Sequence, residues 1–108
     1  MIKNDRVYLD HILEAIDKIQ NFTNDISRFD FDRNVMIQDA VIRNVEIIGE
    51  ATKKISKSLR QSHQEIPWNE IAGMRDKLIH DYFDVDIDVV WKTIEVDLPL
   101  LKEMVSLL

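Results

Sequence analysis

An all-α fold, a single up-down bundle of four to five helices over residues 1–108, is what this sequence predicts, and three observations carry it. Apolar residues recur at three- and four-residue intervals along most of the chain. Only two glycines and two prolines occur, too few for a β-sandwich or barrel, which needs turn residues about every ten positions. The 45% hydrophobic and 31% charged content suits one buried core and excludes collagen-like, low-complexity and disordered classes.

From Asp5 to Thr23 the apolar positions Leu9, Ile12, Leu13, Ile16, Ile19 and Phe22 form one helical stripe. Asp25 to Asp32 breaks the rhythm, and Asp32 is placed to cap a second helix. Its stripe runs Val35, Ile37, Val41, Val45, Ile48, Ala51, Thr52, Ile55 and Leu59, a helix of about seven turns. Gly49 inside it costs about 1 kcal/mol against alanine, which implies close approach of another backbone, expected as helix against helix in a dimer. The polar stretch Gln61 to Pro67 ends in a proline suited to a first helical turn. A third helix is predicted from Trp68 to Tyr82, with Ile71, Met74 or Arg75, Leu78 and Ile79 as its repeating positions. Asp86 is the expected cap of a fourth, with Val90, Ile94, Leu98, Leu101 and Val105 as its stripe. Pro99 should remove the bond to the Glu95 carbonyl and kink that helix or divide it.

The chain contains no cysteine, which removes disulfides, thiolate zinc sites and cysteine nucleophiles. Met1 to Arg6 lacks an apolar signal core, and no run approaches the roughly 18 apolar residues of a membrane span, so a cytoplasmic chain with no membrane partner is expected. The formal charge of −6, from 14 basic and 20 acidic side chains, argues on its face against nucleic acid.

The densest chemically capable cluster is Arg75-Asp76-Lys77-Leu78-Ile79-His80-Asp81-Tyr82-Phe83. A histidine can exchange a proton near neutral pH, and an arginine can hold a phosphate through two N–H bonds, so the set suits attack on a phosphodiester without a metal. On one straight helix Asp76 and His80 share a face, whereas Arg75 and His80 lie about 140° apart. Either the helix loosens before His80, or a second copy supplies the complementary side chains. The plain alternative is a surface network of Arg75, Asp76 and His80, with Tyr82 capping the core.

The segment Pro67 to Phe83 resembles the signature of the HepT toxins within the HEPN ribonuclease superfamily: an arginine, four residues, a histidine, one residue and a tyrosine, matched by Arg75, His80 and Tyr82. Asp76 matches the polar residue that follows the arginine. The run Ile42 to Ala51, with Gly49, is similar to the family's second helix. This resemblance implies a HEPN-type fold and a homodimeric, metal-independent endoribonuclease with no cofactor, the toxin of a type VII-like toxin–antitoxin pair. It implies that the two motifs meet at the dimer interface and that RNA is cut by its own 2′-hydroxyl, leaving a cyclic phosphate. His80 would be the general acid/base, Arg75 the phosphate ligand, and Asp76 a supporting residue that orients one of them. A cognate minimal nucleotidyltransferase antitoxin would transfer AMP to Tyr82 and block RNA entry. The alternative is a non-catalytic dimerisation module, or a nucleotide- or phosphate-binding one, on the same fold.

Lys53, Lys54, Lys57 and Arg60 lie in a stretch with no acidic residue, and positions 53, 57 and 60 share one face of a continuous helix. With Lys77 they form a candidate RNA track; the alternative for the stretch is a solvated helix end whose cations complement the macrodipole. Asp84, Asp86, Asp88 and Glu95 mimic a calcium loop, but Val89 stands where glycine is required, so they read as cap and first-turn acids and no metal is expected. His11 and His63 read as surface histidines. Trp68 and Trp91 read as core or interface anchors, with base stacking as the alternative. The overall charge is thus an average over unlike regions, and a dimer could join two basic regions into one cleft on an acidic body.

Overall fold

The computed structural model describes residues 3–81 and 84–108. The architecture is all-α, with one two-stranded hairpin inserted before the last two helices. Helix α1, Lys3–Thr23, lays Leu9, Ile12, Ile16 and Ile19 against the core with no exposed surface, as their spacing demands. Phe22 departs from the expected stripe and is exposed.

The second helix does not begin at Asp32. Ser27 caps a short helix α2, Arg28–Asp32, and Asp32 is its last residue, paired with Arg28. Asn34 caps the long helix α3, Val35–Lys53, by accepting the Ile37 N–H. Val35 is correspondingly exposed. Phe31 of α2 is fully buried, with its ring tilted on Trp91 at 5.1 Å. The amide of Gln38 closes the end of α2 by donating to the Phe31 and Asp32 carbonyls.

The expected seven-turn helix is two helices. Helix α3 ends at Lys53, and α4, Lys57–Ser62, restarts behind Ser56. Buried Asp5 of α1 accepts from both the Ser56 N–H and its hydroxyl, at 2.8 and 2.6 Å. This contact pins the break to the start of the chain and supplies partners to groups that a helix interior would have paired.

The third helix is likewise divided and shorter than expected. Helix α5, Trp68–Ala72, and helix α6, Met74–Leu78, meet at Gly73, where the Asp76 N–H reaches back only to the Gly73 carbonyl. Trp68 is buried, and its indole N–H donates to the His63 carbonyl at 3.0 Å, which makes it a core anchor. After Leu78 the backbone becomes extended. Strand β1, Ile79–Asp81, pairs antiparallel with β2, Asp84–Val85, in a register of Ile79 with Val85 and Asp81 with Asp84.

Asp86 caps helix α7, Ile87–Lys92, as expected. A π turn, Thr93–Asp97, joins it to α8, Leu98–Ser106. The Leu98 N–H reaches back five residues to the Thr93 carbonyl. Pro99 has no N–H and its ring crowds the carbonyl four residues before it, so the ladder widens just ahead of it. All five residues of the expected stripe, Val90 to Val105, are buried.

Helices α1 and α3 form the central pair, with α8 covering α1 and α5–α6 lying on α3. The close approach predicted at Gly49 occurs within one chain. A Cβ on Gly49 would stand 2.9 Å from the Ala72 carbonyl oxygen at the α5–α6 break. Gly49→Ala gains about 1 kcal/mol of helix propensity but loses about 1–3 kcal/mol to overpacking against backbone that cannot swing away. A net fall in Tm of a few degrees is expected by thermal unfolding; a rise would show that α5 moves aside freely.

Candidate functional site

Arg75 is the second residue of α6, just past the Gly73 break, and it faces α3. Its Nε lies 3.8 Å from Oε2 of Glu46, and its Nη1 lies 3.7 Å from Oδ1 of Asp76. Both are ion pairs beyond hydrogen-bond reach, and the buried Nε has no hydrogen-bond partner among the described residues. The other oxygen of Glu46 is taken by Arg43. Such half-exposed pairs stabilise by about 0–1 kcal/mol, so they orient the guanidinium without consuming its donors. A cleft of about 170 Å³ opens beside it, lined by Glu46, Gly49, Glu50, Lys53, Ala72, Arg75 and Asp76. Acids outnumber cations there, so one protomer does not offer a basic phosphate cradle.

His80 is not on the helix. It sits in β1, and its exposed ring meets Asp86 at the start of α7, with Nε2 3.2 Å from Oδ2. The expected helical face shared by Asp76 and His80 therefore does not exist: Asp76 stands beside Arg75, and the carboxylate on His80 is Asp86. Of the two routes open from the sequence, the helix does loosen before His80. No hydrogen bond or ion pair joins Arg75 to His80 among the described residues. Tyr82 falls outside those residues.

Asp86 is the residue of this region whose second task the sequence did not announce. Its N–H donates to the Leu78 carbonyl at 2.8 Å, its Oδ1 accepts the Val89 N–H at 3.2 Å, and its Oδ2 meets His80. The cap was legible from an aspartate before an apolar stripe. The contact to His80 arises only because α6 ends early and β1 folds back along β2.

The basic stretch is also rearranged. Because α3 stops at Lys53 and α4 starts at Lys57, positions 53, 57 and 60 do not share one continuous helix face. Lys53 pairs with Glu50 at 3.2 Å, and the Arg60 guanidinium donates to the Thr52 carbonyl at the end of α3. The latter is the contact expected of a cation serving a helix C-terminus. Lys54 and Lys57 are exposed. Lys77 lines a larger groove of about 290 Å³ between α5–α6 and α7–α8, which contains neither Arg75 nor His80. Asp88 pairs with Arg28 across 60 residues, and among the described residues no three His, Asp or Glu side chains form a metal-holding group. His63 stands near Glu65 at 3.3 Å. No helix among the described residues is long and apolar enough to cross a membrane.

A family model described as ribonuclease HepT-like matches residues 12–108. This chain belongs to the HepT-like ribonuclease family. Its fold is accordingly of the all-α HEPN type. Over 102 residues it is 51% identical to a Thermococcus cleftensis protein named "Probable ribonuclease HepT", covering 94% of this chain and 93% of that one. A candidate RNase of Caldanaerobacter subterraneus subsp. tengcongensis is 43% identical over 105 residues, 97% of this chain and 94% of its own. A Methanocaldococcus jannaschii protein named as both a gamma-glutamylcyclotransferase and a candidate RNase is 47% identical over 103 residues; the match takes in 95% of this chain but 46%, about half, of that protein. No solved structure matches at a significant level.

The Val89 N–H, followed by the His80 ring, holds the Asp86 carboxyl below its usual value of 3.8. The folded value is depressed, so this stabilisation is fully present above about pH 4 and is lost as pH falls through the folded value. Asparagine caps equally well but does not titrate there. The Tm advantage of the native HepT-like chain over Asp86→Asn should therefore narrow between pH 6 and pH 3; a constant difference would remove the carboxylate from this role.

Proposed function

We propose that this chain is the ribonuclease toxin of a type VII-like toxin–antitoxin pair, cutting RNA at a site completed by two copies of the chain. The observation that carries this reading is the separation of Arg75 from His80. Half-exposed Arg75 and exposed His80 stand on adjoining elements, one turned to α3 and the other to α7, while the cleft beside Arg75 is acidic by itself. A two-fold pair would bring the Arg75 of one copy towards the His80 of the other, a division that a symmetric interface supplies at no extra cost in sequence. Membership of a ribonuclease family supports RNA as the substrate.

In this mechanism Arg75 holds the scissile phosphate and stabilises charge gathering on its oxygens, with Asp76 orienting the guanidinium. His80 takes the proton of the 2′-hydroxyl as the O2′–P bond forms. The P–O5′ bond breaks, and the 5′-oxygen leaves with a proton supplied by a histidine, giving a 2′,3′-cyclic phosphate and needing no metal. Lys54, Lys57 and Lys77, with Lys53 and Arg60 behind them, would steer the RNA backbone, and that contribution should weaken as salt rises. Tyr82 is the proposed regulatory acceptor. Its hydroxyl attacks the α-phosphate of ATP held by a minimal nucleotidyltransferase antitoxin, pyrophosphate leaves, and the tyrosine-linked AMP repels the phosphates of incoming RNA. The proposed place of action is the cytoplasm, where ATP and RNA are both at hand.

His80→Ala and Arg75→Ala should each lower RNA cleavage by about 100-fold or more and remove growth toxicity while the chain stays folded. A wild-type protein that cuts no RNA and does no harm when expressed alone would leave a dimerisation or phosphate-binding module as the function. Co-expression with the cognate nucleotidyltransferase should raise the mass by one or more adenylyl units. A mass unchanged, or raised equally in Tyr82→Phe, would take Tyr82 out of its role.

A further inference from the structure

We propose that Asp86 is a positioning residue of the ribonuclease site: its carboxylate holds the Nε2–H of His80 and so leaves Nδ1 as the ring nitrogen that exchanges a proton with RNA. The inference rests on the ribonuclease reading for its chemistry and on geometry for the rest.

Asp86 is fixed from three directions. Its N–H is tied to the end of α6 through Leu78, its Oδ1 is committed to the first turn of α7 through Val89, and its remaining oxygen faces His80 at 3.2 Å. An ionised carboxylate has no proton to donate, so a hydrogen bond between these atoms requires the proton to be on Nε2. The depressed titration of Asp86 keeps it ionised throughout the neutral range. In the neutral imidazole, a proton on Nε2 makes Nδ1 the acceptor.

The other charged groups on the elements packed against β1 do not compete for this nitrogen. On α6, Arg75 and Asp76 stand beside each other and Lys77 lines the opposite groove. On β2, Asp84 is exposed, and on α7, Asp88 is held by Arg28. Among the described side chains, which do not include that of Asp81, Asp86 is the one carboxylate bonded to His80, through Nε2. The exposed ring can therefore present Nδ1 to a 2′-hydroxyl without leaving its support. In the base role, Nδ1 takes that proton as the O2′–P bond forms and the P–O5′ bond breaks, and Asp86 stabilises the resulting imidazolium without itself becoming protonated.

Two substitutions separate this role from capping, because asparagine and serine both cap helices well. In Asp86→Asn the side-chain oxygen is still required by Val89, so the amide NH₂ faces His80 and donates to Nε2. The proton must then move to Nδ1, leaving no acceptor for the substrate. In Asp86→Ser the cap remains but the side chain is too short to reach the ring. Ring ¹⁵N shifts of His80 should report the Nε2–H form in the full wild-type chain, the Nδ1–H form in Asp86→Asn, and a mixture in Asp86→Ser. With a mixed-sequence fluorescent oligoribonucleotide, Asp86→Asn should lose about tenfold or more in kcat with KM little changed, and Asp86→Ser should lose less. Retention of the Nε2–H form in Asp86→Asn, or a kcat within twofold of wild type, would overturn the proposal. Wild-type protein that cleaves no RNA would instead sink the ribonuclease reading, while the ring spectra would still decide whether Asp86 holds His80.

Discussion

The close approach of Gly49 to the Ala72 carbonyl is the constraint that seats α5 and α6 on α3. Helices normally pack 8–10 Å apart, with side chains between them. Here one side chain is absent, and the backbone at the end of α5 settles directly on α3. That closeness sets Arg75, three residues later, beside Glu46 with its side chain still half-exposed. Past the break α6 runs only to Leu78, where residues 79–81 leave it as a strand that pairs with β2. The missing Cβ thus lets the segment that carries Arg75 lie directly on α3.

The second organising contact is polar. Asp86 gathers the end of α6, the start of α7 and the ring of His80 onto one residue. Helix ends carry unsatisfied groups that must find partners, and here two ends are served by the backbone and side chain of a single aspartate. A structural necessity and a chemical opportunity therefore coincide. The carboxylate that caps α7 is also the one that can orient an imidazole.

The sequence was legible where burial is periodic and local, and silent where distant residues decide. The faces of α1 and of the last helix, the Asp86 cap, the disturbance at Pro99 and the close approach at Gly49 all follow from spacing or from one residue's own conformational chemistry. The break between α3 and α4 does not, because it depends on Asp5, which lies 51 residues from Ser56. Without that partner the stripe reads straight through to Leu59. The cap at Asp32 was misplaced for a similar reason: Ser27 and Asn34 divide the work around a buried Phe31, and a single hydrophobic residue in a polar stretch carries no period. At the candidate site the motif residues were visible, but the face shared by Asp76 and His80 rests on a helical geometry that ends at Leu78.

The π turn at Thr93–Asp97 has a consequence for register. The buried positions Val90, Ile94 and Leu98 are separated by four residues each. In an α-helix two such steps rotate the side-chain direction by about 80°, because each overshoots a full turn by about 40°. The wider turn absorbs that drift, so the three side chains face the same core, and the three- and four-residue steps of α8 continue from there. The turn is in effect a one-residue insertion accommodated without a loop. Removing any one residue between 93 and 97 would restore a regular helix and leave Leu98, Leu101 and Val105 facing α1, because the shortened step from Val90 to Leu98 falls within about 20° of two full turns. With the extra residue in place, the irregular hydrogen bonding is the condition for an unbroken apolar face along the last helix.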